Sequence, residues 1–493
     1  MKGRGHVSEM ASVPFSETKA PESADRLHRG ALGLIDISAS TMANIGPAYS
    51  FYFGFAFLVA TAGVAAPLTI IAAVVAIALL GNTLSQFSRA HPSTGGFISF
   101  VGKSFGGTSA VTTALLCGAG YIIAISSVLA VSGGFVSDIL SYYFGWNVPW
   151  IIFSVLLTGG AVFMTVRGVG VSTKLAGAFF AFEMLVLVVV SVVALAKNGG
   201  HLSAAPFQWS NMTNGFRGLA AGFPLAVYLF IGWENSAALA EETGNPRRNV
   251  PRAVFLSIAM MGVGYVLFAY ATLTGFGYNA TALAGTTVPF ITVAHNALAG
   301  FAFFAYMAGL TSTLGVLIAA INSQARLIFN AGRERLLPAW LGKVNPKHQT
   351  PVNALYAFTG IAGFIIVVWL LGHLIGGDGA SMDPFNFFFE SSTMGTILVL
   401  VVYALANAAL PVYYRRYRPQ EFSVVKHIIL PFLGLVAIAV PVYYLTKPGQ
   451  SQPYNWFPYA ALAIVVAAVI YSIILSRRDP GLGDRVGSII ADE

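Results

Sequence analysis

Five charged side chains lie within otherwise apolar stretches of the sequence: Asp36, Glu183, Glu234, Arg326 and Glu390. A charge near the middle of a membrane-embedded helix costs at least about 2.5–3.5 kcal/mol, so the charges found there usually serve a function. A carboxyl group can bind a proton or a cation, and a guanidinium group can pair with both oxygens of a carboxylate. These five residues are therefore the first candidates for chemistry in this chain.

Three of these charges are expected to lie at a similar depth. At about 1.5 Å per helical residue, each lies about 10 Å from a charged residue that marks the end of its helix. We predict that Asp36, Glu234 and Arg326 form a gate of salt bridges, with a structural rather than a catalytic role.

Glu183 and Glu390 have different surroundings. Glu183 lies about 13 Å beyond Lys174, and the apolar residues around it offer no local partner. Its carboxyl group could take up a proton or help to hold a cation. Glu390 follows Asp383 by about one to two helical turns, near the opposite end of its helix. There it could attract a cationic ligand or border a polar vestibule.

The elements that hold these residues are predicted to be membrane helices. The chain has 493 residues, of which 56% are hydrophobic and only 9% charged, whereas soluble domains carry about 25% charged residues. This composition excludes a water-soluble protein. The net charge of +8 comes from short basic clusters between apolar runs, a pattern that indicates membrane topology and not nucleic-acid binding.

Neither a metal site nor a cofactor site is indicated. Cys117 is the only cysteine, and His201, His295 and His373 show no ligand spacing. No nucleophile–base pair appears at any depth, so we do not expect an enzyme.

The apolar segments define the predicted topology, since a span takes about 20 residues. Twelve helices are predicted, near residues 31–60, 63–88, 106–134, 149–166, 175–196, 217–241, 253–276, 299–325, 352–376, 385–411, 427–446 and 457–476. Cytoplasmic loops of membrane proteins carry an excess of Lys and Arg. With twelve spans, all but three of the 27 Lys and Arg residues fall on the side of both termini, the exceptions being Lys197, Arg217 and Lys447. We therefore expect an integral protein of a plasma or inner membrane with both termini cytoplasmic.

Two of the predicted helices are interrupted. The first contains Ala-Asn-Ile-Gly-Pro at 43–47, and the sixth contains Phe-Ile-Gly-Trp-Glu at 230–234. Proline removes an amide donor and glycine permits non-helical backbone. Broken helices that are five spans apart cross the membrane in opposite directions, which indicates an inverted repeat with a site at the midplane. An ordinary kink in each helix is the alternative.

Three sets of short motifs resemble those of one transporter family. The residues FIGWE (230–234), AEE (240–242) and NPRRNVPRA (245–253) are similar to the signature that follows helix six in the amino acid–polyamine–organocation (APC) superfamily. PSTGGF (92–97) resembles the family's loop after helix two, and the residues AR, GRE and LP within 325–338 resemble its motif after helix eight. The chain is identified as resembling an APC superfamily amino acid permease over roughly residues 30–480.

This resemblance implies a LeuT-like fold, in which helices one to five and six to ten form a 5+5 inverted repeat and helices eleven and twelve lie outside it. The chain then divides into a disordered cytoplasmic tail (1–29), a first repeat (30–196), a second repeat (197–411), two further helices (412–476) and a second cytoplasmic tail (477–493).

The broken helices suit a substrate that carries both a carboxylate and an ammonium group, because a split helix offers free amides beside free carbonyls. The predicted substrate-binding residues are Ala43, Asn44, Ile45, Gly46, Tyr228, Phe230, Gly232 and Trp233. Tyr228 matches a family aromatic that borders the substrate. The first helix departs from the family's common Gly-Ser-Gly pattern, so the carboxylate-binding amides are left open between Ile45, Gly46 and Ala48.

The resemblance also implies a coupling site. The position of Glu183 carries, in many family members, a lysine that is thought to replace a bound cation. Ser312 and Thr313 match hydroxyl residues that flank the family's cation site. Serine and threonine hydroxyls inside membrane helices usually bond to their own backbone, which is the alternative role for both.

The expected function is a secondary active transporter that moves an amino acid across the membrane by alternating access, coupled to protons, with sodium as the alternative ion. A neutral substrate ranks above a cationic amino acid, and a polyamine ranks third. A cationic amino acid or polyamine exchanger and a non-transporting amino acid sensor of the same fold remain alternatives. The oligomeric state is not readable from the sequence.

Overall fold

The computed structural model describes residues 27–376 and 382–491. Within these residues the chain is helical, and its only β-structure is two isolated bridges. The helices are α1 (Leu34–Ile45), α2 (Pro47–Ala62), α3 (Ala66–Ala90), α4 (Phe97–Phe105), α5 (Gly107–Phe144), α6 (Trp150–Val166), α7 (Val169–Lys197), α8 (Phe216–Tyr228), α9 (Asn235–Ala238), α10 (Pro246–Gly275), α11 (Ala280–Ala284), α12 (Pro289–Leu298), α13 (Phe303–Arg333), α14 (Val352–Gly376), α15 (Pro384–Tyr417), α16 (Leu430–Thr446), α17 (Phe457–Arg478) and α18 (Leu482–Arg485). The predicted all-helical class is confirmed.

Some of these helices are long and apolar enough to cross a membrane, and others are too short. Nine helical stretches of the described residues are long and apolar enough to cross a membrane: Leu34–Ala90, Gly107–Phe144, Val169–Lys197, Pro246–Gly275, Pro289–Arg333, Val352–Ile375, Pro384–Tyr417, Val425–Thr446 and Tyr454–Arg478. The first stretch contains both the first and the second predicted segments. The fourth predicted segment is the 17-residue α6, and the sixth is divided among α8, α9 and a short 3-10 turn. The protein is thus a polytopic membrane protein, while the count of twelve spans stays a prediction.

The first break separates α1 from α2 at a single residue. Gly46 has φ +63°, in the left-handed region that glycine adopts without strain. Pro47 then begins α2, where its fixed φ suits the first helical position and its missing amide costs no helical hydrogen bond. Glycine and proline together therefore end one helix and start the next.

The second break covers more residues. After α8 ends at Tyr228, residues 229–234 form turns, and Gly232 has φ +106°. The hydroxyl group of Tyr265 on α10 donates to the carbonyl of Leu229 at 2.7 Å. A neighbouring helix thus satisfies a backbone group that the break frees, as membrane helices require.

Both described ends of the chain lie at one face of the helix bundle, which we call the terminal face; the opposite face is the distal face. The amide of Leu27 donates to Glu241, that of Glu241 donates to Thr94, and that of Ala491 donates to the carbonyl of Pro92. Most of the predicted first tail lies outside the described residues. The predicted second tail starts inside α17, which continues to Arg478.

Candidate functional site

Three cavities lie in a row between the two broken helices and their neighbours. The central cavity, of about 60 Å³, shares Tyr228, Ser392 and Thr396 with a distal cavity of about 240 Å³. It shares Asn44 and Gln324 with a proximal cavity of about 20 Å³ that lies towards the terminal face. The shared residues mark a path from one face of the bundle to the other.

The central cavity is built where the two breaks meet. The side-chain amide of Asn44 donates to the carbonyl of Gly232 at 3.3 Å. A Cβ atom on Gly232 would lie 2.8 Å from the carbonyl oxygen of Asn44, closer than real contacts allow. Only glycine lets the two backbones approach this closely.

Half of the predicted substrate-binding residues line the central cavity. Asn44, Ile45, Tyr228 and Gly232 are among its wall residues. Ala43, Gly46, Phe230 and Trp233 are not among the wall residues of any of the three cavities.

Two of these four residues are instead packed between helices. The ring of Phe230 contacts the edge of Tyr265 with centroids 5.2 Å apart, and Trp233 contacts Tyr403 with centroids 5.6 Å apart. Both side chains are fully buried. In this structure their contribution is to hold the unwound segment against α10 and α15.

Sequence reasoning did not single out several further wall residues of the central cavity: Ser50, Ala124, Ile125, Ser127, Val128, Val316, Ala320, Gln324, Ser392 and Thr396. They come from α2, α5, α13 and α15, and they carry small, aliphatic, hydroxyl or amide side chains. No sequence signal distinguishes them from other membrane-helix residues of these types.

Glu183, on α7, lies beside the first turn of α2. It is fully buried, and its Oε2 accepts a hydrogen bond from the amide of Ala48 at 3.1 Å. The next amide, that of Tyr49, donates to the hydroxyl of Ser312 at 3.0 Å. Helices α7 and α13 therefore cap the free amides of α2, two of the donors that a split helix exposes. Of the three amides left open for a substrate carboxylate, that of Ala48 is bonded to Glu183 and that of Gly46 to the carbonyl of Met42.

Thr313, the third predicted coupling residue, has a different environment. Its hydroxyl donates to the carbonyl of Leu310 on its own helix at 2.9 Å. Threonine hydroxyls in helices commonly donate to a carbonyl of the preceding turn. Glu183 and Ser312 are thus brought together at α2, while Thr313 is bonded within α13.

Aromatic side chains close the central cavity towards the distal face. The hydroxyl groups of Tyr49 and Tyr228 are 3.0 Å apart and hydrogen bonded. The ring of Phe388 lies edge-on to both, with centroid distances of 5.5 and 6.0 Å. This layer joins α2, α8 and α15 across the path.

Ion pairs close the path towards the terminal face. Arg326 is fully buried and binds both carboxylate oxygens of Glu242, with Nη2 to Oε1 at 2.9 Å. Arg333 pairs with Glu241, with Nη2 to Oε2 at 2.7 Å. We refer to these two pairs as the terminal-face ion pairs. The amide of Leu32, just before α1, donates to the carbonyl of Glu242 at 2.9 Å, so the same segment also holds the start of the first helix.

These pairs differ from the predicted partners. The carboxylate that binds Arg326 is Glu242, and neither Asp36 nor Glu234 takes that place. Glu234 accepts from the hydroxyl of Tyr121 at 2.8 Å, and Asp36 accepts from the amide of Gly33 at 2.8 Å in the first turn of α1. The sequence signal that could have found Glu241 and Glu242 was present, since both belong to the AEE motif.

Glu390 borders a separate cavity of about 740 Å³ between α5, α14, α15 and α17. Its Oε2 accepts from the indole nitrogen of Trp369 at 2.9 Å. The described wall of this lateral cavity shares no residue with the central or the distal cavity. Glu390 therefore lies beside the path and not on it.

Glu334 follows α13 directly, outside the membrane-spanning stretch. Burial raises the pKa of its carboxyl group to about 7, although the nearby Asn330 side chain, the hydrogen bond from the Gly487 amide and the charge of Arg333 act in the opposite sense. The Gly487 amide donates to its Oε1 at 3.0 Å. The carboxyl-terminal segment thus contacts the element that carries both arginines of the terminal-face ion pairs.

A polytopic helical protein with a cavity between two broken helices belongs to the class of membrane carriers. The chain matches the amino acid permease family over residues 32–470 and belongs to that family. It is an amino acid permease of the APC superfamily, as its motifs predict.

Curated relatives are similar along most of their length. The methylthioribose transporter of Bacillus subtilis (strain 168) is 25% identical, with 85% of this chain and 87% of the relative covered. Cationic amino acid transporter 7, chloroplastic, of Arabidopsis thaliana is 25% identical over 80% of this chain and 68% of its own. The Asc-type amino acid transporter 1 of Homo sapiens is 25% identical over 75% and 73%. The names of these relatives indicate different substrates, so the relatives do not identify the substrate of this chain.

Proposed function

We propose that this permease is a secondary active transporter that moves a small neutral amino acid by alternating access. The observation that carries the proposal is the position of the central cavity between two sets of contacts, the hydrogen-bonded Tyr49 and Tyr228 on one side and the terminal-face ion pairs on the other. A site between two closures can open to either face in turn, as alternating access requires. The same two closures weigh against a sensor that lacks a competent gate.

The proposed architecture is the twelve-span, 5+5 inverted repeat with both termini in the cytoplasm, and the terminal face is then the cytoplasmic face. The two breaks that meet at Asn44 and Gly232 support it, since breaks of this kind lie at the midplane of inverted repeats. The excess of basic residues on the terminal side supports the orientation.

The wall of the central cavity supports a neutral substrate. None of its described residues carries a charged side chain. A cavity of about 60 Å³ has space for a few water molecules, each of which needs at least about 10–15 Å³ by the same measure. The cavity therefore suits a small zwitterion better than a cationic amino acid or a polyamine.

Proton coupling is proposed to act through Glu183. It is buried beside the break and caps α2, so a change in its protonation changes the hydrogen bonding at the substrate site. If the α2 contacts of Glu183 differ between the two gate states, its proton affinity differs as well, and this difference links proton movement to substrate movement.

Uptake into proteoliposomes tests the proposal. We expect radiolabelled neutral amino acids to accumulate when the outside is made acidic, and a protonophore to abolish the accumulation. Protein-free liposomes and liposomes without a pH gradient are the controls. Ligand binding in a thermal-shift assay without uptake or counterflow would identify a sensor, and uptake that follows a sodium gradient alone would reject proton coupling.

A further inference from the structure

The distal cavity has two chemically different ends. It lies between α2, α8, α15 and α16, and its inner end is the central-cavity wall at Tyr228, Ser392 and Thr396. Its outer end is formed by Lys447 and Gln450, which follow α16. The distal cavity therefore connects the surroundings of Lys447 with the wall of the central cavity.

The side wall of the distal cavity is aromatic. Phe53, Phe388 and Phe389 line it from α2 and α15. The rings of Phe53 and Phe388 are in contact, with centroids 5.7 Å apart. This wall can bury an apolar side chain, but it offers nothing to a carboxylate or an ammonium group.

Lys447 supplies the charge at the outer end. Its Nζ lies 4.6 Å from the ring centroid of Tyr444, and none of the ion pairs among the described residues includes it. No acidic residue occurs among the described residues that line the distal cavity. Lys447 therefore lines the cavity, and the described part of the cavity wall contains no carboxylate to neutralise its charge.

Gln450 stands beside this charge in a fixed position. Its side-chain nitrogen donates to the carbonyl of Tyr444 at 2.6 Å. A primary amide carries two N–H donors, so one donor is left for an anionic group near Lys447.

We propose that the distal cavity is a recruitment site for the carboxylate of the substrate, with Lys447 as the residue that recognises it. The proposal rests on the transporter function proposed above and specifies its substrate class: an α-amino acid with an apolar side chain. The carboxylate binds Lys447 and Gln450, and the side chain lies against Phe388 and Phe389. A polyamine has no carboxylate and therefore no group that Lys447 would bind.

The sequence provides a matched control. Lys197 and Arg217 are the other basic residues predicted on the distal side, and both are exposed and absent from the cavity wall. Lys447→Gln and Lys197→Gln remove the same charge from the same side of the protein, but only the first removes it from the cavity. Lys447→Arg keeps the charge.

The test is the uptake of L-alanine, L-leucine and L-phenylalanine into proteoliposomes made of phosphatidylcholine alone. For every one of these amino acids that the wild type transports, we expect Lys447→Gln to raise KM about tenfold with little change in kcat, the effect of one lost charge-assisted hydrogen bond. Lys447→Arg and Lys197→Gln should stay close to the wild type. The KM of the wild type should rise with salt concentration, and this dependence should be weaker in Lys447→Gln.

The outcomes separate the two proposals. If the wild type transports none of the three amino acids, the proposed function fails and this inference fails with it. If the wild type transports them and Lys447→Gln has an unchanged KM, only the carboxylate site is rejected. An effect of Lys447→Gln that appears only after phosphatidylglycerol is added would assign Lys447 to a lipid phosphate and overturn the proposal.

Because a lysine at a helix C-terminus also stabilises the helix, the melting temperatures of all variants are compared. A fall in kcat together with the melting temperature would indicate a structural role and reject recognition.

Discussion

At the scale of single residues, the site depends on one glycine and one carboxyl group. Gly232 has φ +106° and lies against the backbone of Asn44, and Glu183 binds the amide of Ala48. An exchange of Gly232 alters the contact between the two breaks, and an exchange of Glu183 removes the buried titratable group beside α2.

Gly232→Ala should abolish substrate binding and lower stability. The added Cβ meets the carbonyl of Asn44 at 2.8 Å, and a non-glycine residue at this φ costs about 1–3 kcal/mol. Gly118→Ala on α5 is the matched control, because no atom lies within 4 Å of its added Cβ. It should leave binding unchanged and raise the melting temperature slightly. Thermal unfolding with and without a transported amino acid measures both effects, and normal affinity in Gly232→Ala would reject the midplane site.

Glu183→Gln should uncouple transport from the proton gradient. The glutamine keeps a carbonyl oxygen that can accept from the Ala48 amide, so α2 remains capped and substrate binding and exchange should persist. Accumulation driven by a pH gradient should be lost, since the side chain can no longer change its protonation. Counterflow and gradient-driven uptake are measured on the same proteoliposomes. A glutamine variant whose uptake still follows the imposed pH gradient would show that coupling lies elsewhere.

At the scale of elements, the sequence predicts where the helices break better than where their side chains point. Gly46, Pro47 and Gly232 identify the breaks because their backbone preferences are local. Phe230 and Trp233 were predicted at the cavity, but both are packed against other helices. In an unwound segment the direction of a side chain follows from turn geometry and tertiary contacts, and neither is encoded in helical periodicity.

The partner of Arg326 differs from the predicted one for a related reason. The depth of Glu234 was counted along a continuous helix at about 1.5 Å per residue, whereas α9 has only four residues and a 3-10 turn follows at Ala240–Glu242. The change of path brings Glu242 to Arg326 and leaves Glu234 with Tyr121. The AEE motif indicated the residues, but only the folded segment shows which carboxylate pairs with which arginine.

The buried pair of Arg326 and Glu242 should behave as a unit. Arg326→Met leaves an unpaired buried carboxylate, and Glu242→Leu leaves an unpaired guanidinium, so each single change should lower the free energy of unfolding by about 3–5 kcal/mol. The double variant should be more stable than either single variant, because both charges are removed together. Arg418→Met with Glu421→Leu, an exposed pair, is the control cycle and should show a coupling below about 1 kcal/mol. Thermal unfolding of the purified proteins gives both cycles, and additive effects at Arg326 and Glu242 would contradict the pairing.

At the scale of the whole molecule, the carboxyl-terminal segment joins elements that are far apart in sequence. Leu482 and Val486 are buried, and Val486 packs against α4 close to Gly102. The amide of Gly487 reaches Glu334 at the end of α13. The segment therefore holds the terminal face together next to the ion pairs that close the path.

Protonation of Glu334 should control how firmly this segment is held. Burial raises the pKa of its carboxyl group from 4.5 to about 7, so between these pH values the docked state binds more protons than a state in which the segment is released and the carboxyl group is hydrated. By linkage, docking is strongest below about pH 4.5 and weakens as the pH rises to about 7. A nitroxide spin label at the exposed position 488, introduced as Ser488→Cys in a Cys117→Ala background, should therefore become more mobile between pH 5 and pH 8.

Two variants serve as controls for this response. The side chain introduced by Glu334→Gln cannot ionise, so the label should stay immobile throughout. Glu421→Gln, which changes an exposed carboxyl group on the same face, should retain the response of the wild type. A label whose mobility changes equally with pH in the Glu334→Gln protein would show that another group controls the docking.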